Sequence, residues 1–290
     1  MLGMATFRSL ASALGDEQRA ALVALLERPH FELIPLRGAV DRADALPPGA
    51  ATTVTASPSH GIESTIELCE ALIARGHPST PHLAAHMFRD ARHVREIADR
   101  SRAAGIREAF VIGGDAKERG ELHDAMALIR ALDDAGHPFE RIGMAGYPEG
   151  HPKIPTDLLD ASLLEKQPHA SYVTTQMSFD AEAIAAWIRR IRAAGVTLPV
   201  HLGMPGPVEL RKLLRIAARI GVGGSARYLR KNRQLLGLVF RRSYTPDGML
   251  RSLVDSLADP EVNVAGLHLF TFNQVEPAVE WRQRTLDELR

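Results

Sequence analysis

The sequence has little that would tie the protein to a membrane, an oxidising compartment or a polyanion. Its 290 residues include one cysteine, Cys69, so no disulfide can form within the chain and a reducing, cytoplasmic setting is expected. Basic and acidic residues number 35 each, and the formal net charge of +0 does not favour nucleic acid or an anionic membrane. No apolar run approaches the ~20 residues of a membrane-spanning helix. We therefore expect a soluble protein with no membrane or nucleic-acid partner.

What the sequence does contain is an alternation of short apolar runs and helical patterns. Most of the runs are flanked by glycine or proline and are too short for a globular helix, which is typical of buried strands. The eight runs cover 31–36, 52–57, 80–85, 109–114, 141–147, 172–177, 199–204 and 264–272. Apolar residues recur at helical spacing between them, over 94–104, 122–135, 181–194 and 208–218.

Eight strand–helix units predict parallel strands joined by helical crossovers. Eight such units within 290 residues predict an α/β fold with a single (β/α)8 barrel, and an open doubly wound sheet is the alternative. No linker is visible, so we expect one domain over 1–290. Residues 1–30 form a predicted N-terminal extension with a helix over 7–28. Residues 206–263 are too long for one crossover and predict extra helices between strands 7 and 8.

Polar residues collect where the predicted strands end, which is the edge that carries the active site in barrel enzymes. Glu32 lies inside the first strand, where a carboxylate is costly unless it is paired or protonated. It either joins an interior polar network or serves as a general acid, since burial disfavours its ionised form. Asp115 follows two glycines and either contacts a ligand or caps a helix. Gln176 offers both donor and acceptor groups to a heterocycle.

Other kinds of site have less support. His82 and His86 are four residues apart but do not lie on one helix face, and no carboxylate sits at a useful spacing from them, so we predict no metal. No Gly-x-Ser-x-Gly motif of a serine hydrolase is present. The glycine-rich segment 221–225, before the basic segment 226–242, either cradles a phosphate or turns the chain into a solvated helix.

The strand-end motifs, in their order along the chain, resemble those of the methylenetetrahydrofolate reductase family. The most specific motif is Ala145–Pro152 (AGYPEGHP), and the resemblance extends over roughly residues 31–275. The other matching pieces are 31–35 (FELIP), 54–55 (VT), 81–83 (PHL), 114–115 (GD), 175–176 (TQ), 203–205 (GMP) and 270–273 (FTFN).

The resemblance implies a barrel enzyme that reduces 5,10-methylenetetrahydrofolate to 5-methyltetrahydrofolate. Glu32 would be the general acid for opening of the folate ring, and Asp115 would stabilise the resulting 5-iminium cation and hold the pterin. Gln176 and Met204 would contact the substrate. The residues implied on the cofactor side are Thr55, Ser57, His82, Gly114, Tyr147 and His151.

Two departures concern flavin. Gly113 stands where the family usually has an arginine, and Glu165 stands where it usually has a lysine, so a pyrophosphate site loses two positive charges. The chain therefore resembles the flavin-independent, mycobacterial-type branch, in which NADH or NADPH would pass hydride directly to the folate. Tyr147 and His151 persist and keep FAD binding open.

Two other activities stay open on the same barrel, a folate-dependent methyl or aminomethyl transferase and a non-catalytic folate-binding protein. The sequence does not distinguish NADH from NADPH, and it does not set the oligomeric state.

Overall fold

A computed structural model of the chain describes residues 14–114, 116, 120–209, 211–213, 215 and 243–290, and the structural statements below concern those residues. Eight parallel strands close into a barrel in the order β1-β10-β7-β6-β5-β4-β3-β2. They are β1 His30–Leu33, β2 Thr52–Val54, β3 Ser79–Ala84, β4 Glu108–Ile112, β5 Arg141–Gly146, β6 Tyr172–Thr175, β7 Val200–Pro205 and β10 Val264–Phe270. The predicted (β/α)8 barrel is confirmed, and each predicted strand is present with slightly different bounds.

Helices surround the barrel on its outer face. They are α1 Asp16–Glu27, α2 Ala39–Arg42, α3 Gly61–Ala74, α4 Ala91–Ala104, α5 Ala125–Asp134, α6 Thr156–Lys166, α7 Ala181–Ala193, α8 Asp247–Ala258 and α9 Val275–Leu289. The aspartates before α4, α5 and α7 each accept a hydrogen bond from the backbone three residues on, which caps those helices. Among the described residues, no helix combines the length and apolarity needed to cross a membrane.

The two predicted extra segments are only partly described. α1 is the described part of the N-terminal extension, and it packs on α8, α9 and β10 with Leu22 and Leu26 fully buried. The helix predicted over 208–218 is wrong at its start, because Val208–Glu209 (β8) pairs with Ser243–Tyr244 (β9) as an antiparallel ribbon. Segments 221–225 and 226–242 lie outside the described residues, and the single domain over 1–290 stays a prediction.

The main apolar core lies between the barrel and the helices. In β1, Phe31 and Leu33 point outward into it, and in β10 Leu267 and Leu269 do the same. The close fit is visible at Gly146, where an added Cβ would lie 2.5 Å from the Trp187 ring. Alternation along each strand then directs the remaining side chains into the barrel.

The barrel interior is polar, whereas branched apolar residues usually fill it. The His30 and His201 rings meet at 5.1 Å although β1 and β7 are not neighbours, so both side chains reach across the interior. His82 of β3 and His268 of β10 also face each other across it, at 6.0 Å. The fold thus places ionisable side chains along the barrel axis.

Candidate active site

Glu32 lies at the carboxyl end of the barrel interior with 7% of its surface exposed. His268 Nε2 lies 3.0 Å from Glu32 Oε2, which is a hydrogen-bond distance, and His82 Nε2 lies 4.0 Å from the same oxygen. Glu32 therefore does join an interior polar network, and its carboxyl group can share a proton with an imidazole. A buried carboxyl group within hydrogen-bond distance of an imidazole is suited to proton transfer.

The chain after β10 fixes the strand that carries Glu32. The Asn273 side chain accepts a hydrogen bond from Ile34 N at 2.8 Å and donates one to Ile34 O at 2.9 Å. Thr271 Oγ1 donates to the backbone oxygen of Glu32. Phe272 and Asn273 have positive φ angles of 52° and 58°, which non-glycine residues rarely adopt. The hydrogen bonds of Thr271 and Asn273 hold the backbone in this conformation.

His82 is buried and neutral at physiological pH. The pKa of His82 is lowered to about 3, chiefly by burial and in smaller part by nearby His268. Its Nε2 atom is buried and has no hydrogen-bond partner within the described residues. A neutral ring of this kind offers hydrogen bonds and an aromatic edge, but no charge for a pyrophosphate.

Sequence spacing offered no carboxylate to His82, but the folded barrel does. It brings Glu32 of β1 close to His82 of β3, although β2 lies between these two strands. Donor atoms of Glu32, His82 and His268 lie within 4.8 Å of one another, and these residue types can bind a metal ion. Zinc bonds of about 2.0–2.2 Å would place such donors roughly 3.3 Å apart, so His82 would have to move. The arrangement fits a proton shared by Glu32 and His268 better than a shared ion.

The ends of β2 and β4 bring further predicted residues to this edge. Thr55 N donates to Leu33 O at 3.0 Å, which places Thr55 beside the end of β1. Ser57 Oγ lies 3.0 Å from His60 Nδ1 in the turn that follows. Gly114 has a φ of 91°, and an added Cβ would lie 2.9 Å from the Ala84 Cβ, so glycine is required there. Asp115 lies outside the described residues, and its role stays a prediction.

The AGYPEGHP motif forms a braced aromatic corner between β5 and β6. The Tyr147 and His151 rings meet edge to face at 5.3 Å, and both residues are half-buried. Glu149 accepts hydrogen bonds from Ser178 Oγ and from Phe179 N, which ties the turn after β5 to the segment after β6. The backbone nitrogen of Gln176 donates to Gly146 O at 2.7 Å and places Gln176 beside this corner.

Met204 is not brought to the site, contrary to the expectation of a substrate contact. It is fully buried, and its partner across the strand pair is Leu269, which points into the core between barrel and helices. The inward position is the preceding Gly203, where an added Cβ would lie 2.8 Å from the Phe270 ring. Alternation along β7 therefore turns the Met204 side chain away from the mouth.

Sequence reasoning missed His268, the hydrogen-bond partner of Glu32. Its signal was present, since a histidine between Leu267 and Leu269 in a strand marks a polar inward position.

Known proteins resemble this chain in sequence. The family model described as methylenetetrahydrofolate reductase matches residues 36–222. A probable methylenetetrahydrofolate reductase (NADPH) of Caenorhabditis elegans is 31% identical over 126 residues, 41% of this chain and 19% of that protein. Methylenetetrahydrofolate reductase 1 of Schizosaccharomyces pombe is 39% identical over 116 residues, 36% of this chain and 19% of that protein. The chain thus aligns with less than a fifth of these relatives' length.

Solved structures share the fold at low identity. A 2,3-dimethylmalate lyase superimposes with a TM-score of 0.51 and 12% identity, over 94% of this chain and 87% of that one. An oxaloacetate acetylhydrolase has a TM-score of 0.50 and 12% identity, over 98% of this chain and 88% of that one. Identity this low supports the fold alone. The family model, in contrast, covers more than half of the chain and includes the AGYPEGHP corner. The chain belongs to the methylenetetrahydrofolate reductase family.

Proposed function

We propose that the protein reduces 5,10-methylenetetrahydrofolate to 5-methyltetrahydrofolate with hydride from a nicotinamide nucleotide. The observation that carries this proposal is the buried Glu32 carboxyl, hydrogen-bonded to His268 at the mouth of the barrel. A folate ring that opens needs one proton at its leaving nitrogen, and Glu32 is placed to donate it. The product would enter one-carbon metabolism as a methyl donor, as in methionine biosynthesis.

Glu32 acts as the general acid. Protonation of the leaving nitrogen opens the five-membered ring and leaves a 5-iminium cation, to which hydride then adds. His82 is uncharged at neutral pH, so it does not hold Glu32 in the ionised form by charge pairing. A positioned acid of this kind contributes about 10²–10⁴-fold to the rate.

Asp115 and Gln176 bind the substrate at the same edge. Asp115 follows Gly114 at the end of β4, and its carboxylate would stabilise the iminium cation and hold the pterin. Gln176 lies beside Gly146 and offers donor and acceptor groups to the pterin amide edge. These two roles are carried over from the family by matching motifs.

The hydride passes directly from the nicotinamide, without flavin. In family members that bind FAD, the flavin relays the hydride from the nicotinamide to the folate. Here Gly113, in place of the arginine, has open space beside its Cα. Glu165, in place of the lysine, lies 3.8 Å from Arg130 in an exposed ion pair. Neither position supplies the positive charge that the family usually has there, which weakens a site for the flavin pyrophosphate.

The remaining lining residues suit a nicotinamide nucleotide. Tyr147 and His151 offer two aromatic rings set edge to face, and Phe270 and His82 lie deeper in the barrel. Thr55, Ser57 and Gly114 border the same opening. The single cysteine is buried, which fits a reducing, cytoplasmic setting.

The test measures oxidation of NADH and NADPH with and without methylenetetrahydrofolate. We expect oxidation only in the presence of the folate, by purified protein that shows no flavin absorbance and gains no activity on addition of FAD. No oxidation with either nucleotide would reject the reductase. Transfer of the one-carbon unit without nicotinamide would instead support a methyl or aminomethyl transferase, and folate binding without turnover would support a binding protein.

Replacement of the acid separates binding from chemistry. Glu32→Gln keeps the size of the side chain but cannot supply the proton, so kcat should fall by about 10²–10⁴-fold while folate affinity stays similar. Glu140→Gln removes a carboxyl group that is 70% exposed in an ion pair with Arg107 and is the matched control. Unchanged turnover in Glu32→Gln would remove Glu32 from the mechanism.

A further inference from the structure

Beneath Glu32, a column of ionisable side chains continues through the barrel to its opposite end. His268 is hydrogen-bonded to Glu32, and the register of β1 on β10 places His30 beside His268. The His30 ring meets the His201 ring at 5.1 Å, and the His201 ring stacks on Tyr172 at 4.5 Å. The rings therefore connect to the general acid through His30 and His268.

The lower end of the column reaches solvent. The Arg141 guanidinium lies 5.0 Å above the Tyr172 ring and 3.3 Å from Glu108 Oε2. The Arg141 side chain is 48% exposed and that of Glu108 is 18% exposed. Burial raises the pKa of the Tyr172 hydroxyl, and the nearby Glu108 carboxylate acts in the same direction. The first residues of β4 and β5 therefore open the column at the amino-terminal end of the barrel.

Two glycines make room for the rings. An added Cβ at Gly143 would lie 2.4 Å from the Tyr172 ring, and one at Gly266 would lie 3.2 Å from the His201 ring. Side chains at these inward positions would displace the rings. The polar filling of the interior therefore depends on the absence of side chains at two of its positions.

Many polar atoms along the column are buried and have no hydrogen-bond partner within the described residues. Such atoms are costly unless they find hydrogen-bond partners, and ordered water is the usual partner of buried polar atoms that lack one in the protein. These atoms are Thr53 Oγ1, Thr174 Oγ1, His30 Nδ1, His82 Nε2, His201 Nδ1 and Glu108 Oε1. Water molecules that bridge them would join the separate rings into one hydrogen-bonded chain.

The proposed reaction needs such a chain. Each turnover adds one hydride and one proton to the folate, so Glu32 ends each turnover as a carboxylate and has to regain a proton from solvent. In the proposed reaction, bound folate and nucleotide would cover Glu32 from the carboxyl end of the barrel, and the interior would be the other approach.

We propose that the polar barrel interior is a water-bridged proton path that reprotonates Glu32 from the amino-terminal end, through Tyr172, His201, His30 and finally His268. The proposal rests on the proposed function. His268 donates the proton to Glu32, and the other residues deliver protons to His268.

The low basicity of the histidines is compatible with this role. Burial lowers the pKa of His30 to about 3 and that of His201 to about 4, so both rings are neutral at pH 7. A neutral imidazole passes a proton by accepting it at one nitrogen while it releases another from the second nitrogen. The path therefore carries protons without holding a charge in the barrel at rest.

The kinetic test separates the first turnover from later ones. Tyr172→Phe removes the hydroxyl but keeps the stacked ring, and His201→Leu removes both ring nitrogens. In both variants the first hydride transfer, measured by rapid mixing, should keep its rate because the first turnover draws no proton from the path. Steady-state turnover should fall on the order of tenfold to a hundredfold, with a larger solvent isotope effect and partial rescue by formic acid. Phe110→Leu changes interior packing without removing a proton carrier and is the control.

Several outcomes would overturn the path. A parallel loss of first and later turnovers would mean that the variants only disturb the fold, and unchanged steady-state turnover in Tyr172→Phe would mean that protons arrive elsewhere. If His201→Leu fails to fold, the result for Tyr172→Phe still tests the path.

A high-resolution crystal structure of the wild-type protein provides a second test, since ordered waters should contact His30 Nδ1 and His201 Nδ1. A dry interior would reject the path even in an active reductase. Ordered waters in a protein that does not oxidise nicotinamide would reject the proposed function instead.

Discussion

At the scale of single residues, the pair of Glu32 and His268 determines how the site handles a proton. The carboxyl is buried, and its hydrogen bond to His268 Nε2 at 3.0 Å is a direct contact to a titratable group. A hydrogen bond that involves a charged group contributes about 1.5–3 kcal/mol, so loss of the imidazole affects both the orientation of Glu32 and its supply of protons.

His268→Gln is expected to lower kcat more than it raises KM for the folate. The amide can still bond to Glu32 and hold its orientation, but it cannot take up and release a proton. The pH profile of kcat should change its shape as well as its height, which distinguishes proton delivery from simple misplacement. Steady-state kinetics across pH measure this, and a change in KM alone would assign His268 to substrate binding.

Asn273 is the second residue whose replacement is informative. Asn273→Ala removes both hydrogen bonds to Ile34 and places alanine at a φ of 58°. We expect a loss of about 2–4 kcal/mol in the free energy of unfolding, from the lost pair and the strained backbone. Denaturant unfolding measures it. Asn273→Gly, which relieves the strain but not the lost bonds, should recover part of the loss.

At the scale of elements, the strands determine the site through the alternation of their side chains. In β7 this alternation turns His201 inward and Met204 outward, and in β10 it turns His268 and Phe270 inward. The capped helices α4, α5 and α7 supply the outer apolar wall that fixes the strands in register. An inward position is therefore sensitive to size even where it carries no function.

Gly143→Ala in β5 tests this sensitivity. Its Cβ would lie 2.4 Å from the Tyr172 ring, which is stacked on His201 and cannot easily move. We expect the free energy of unfolding to fall by about 1–3 kcal/mol, as for other overpacked interiors. Gly248→Ala in α8 has no atom within 4 Å of the added Cβ, so it should be neutral or slightly stabilising. Thermal unfolding of both variants compares them, and equal losses would show that the Tyr172 ring yields.

At the scale of the whole molecule, the neutral histidines in the barrel make folding sensitive to acid. Burial lowers the pKa of His82 to about 3 and that of His201 to about 4, from an ordinary value of 6.5. Below pH 6.5 the unfolded chain binds protons that the folded barrel does not, so stability is full above pH 6.5 and falls as pH drops toward 4 and 3. His30 acts in the same direction.

Each of His82 and His201 should contribute a loss of up to about 1.4 kcal/mol per pH unit in this window. Denaturant unfolding from pH 7 to 4.5 measures the slope. His201→Gln removes one titrating group and should flatten the slope by about that amount. An unchanged slope would show that His201 is protonated in the folded protein.

The sequence supported the fold and the edge of the site but not the interior contacts. Short apolar runs between glycine and proline predicted the eight strands, because buried parallel strands need little else than continuous apolar residues. The polar residues at the strand ends predicted the carboxyl-terminal opening of the barrel. The contacts of Glu32 with His82 and His268 could not be predicted, because β10 pairs with β1 only when the barrel closes and β3 is separated from β1 by β2.

By itself, the sequence determined the (β/α)8 fold, the family and the AGYPEGHP corner, because each depends on local pattern. Only the tertiary structure decided which side chains share the barrel axis. It turned Met204 into the core, brought His268 to Glu32 and lined the interior with His30, His201 and Tyr172. The physical reason is that the sheet closes into a barrel. A sheet that closes on itself brings the inward faces of distant strands together, and that proximity depends on strand order and register rather than on any single segment.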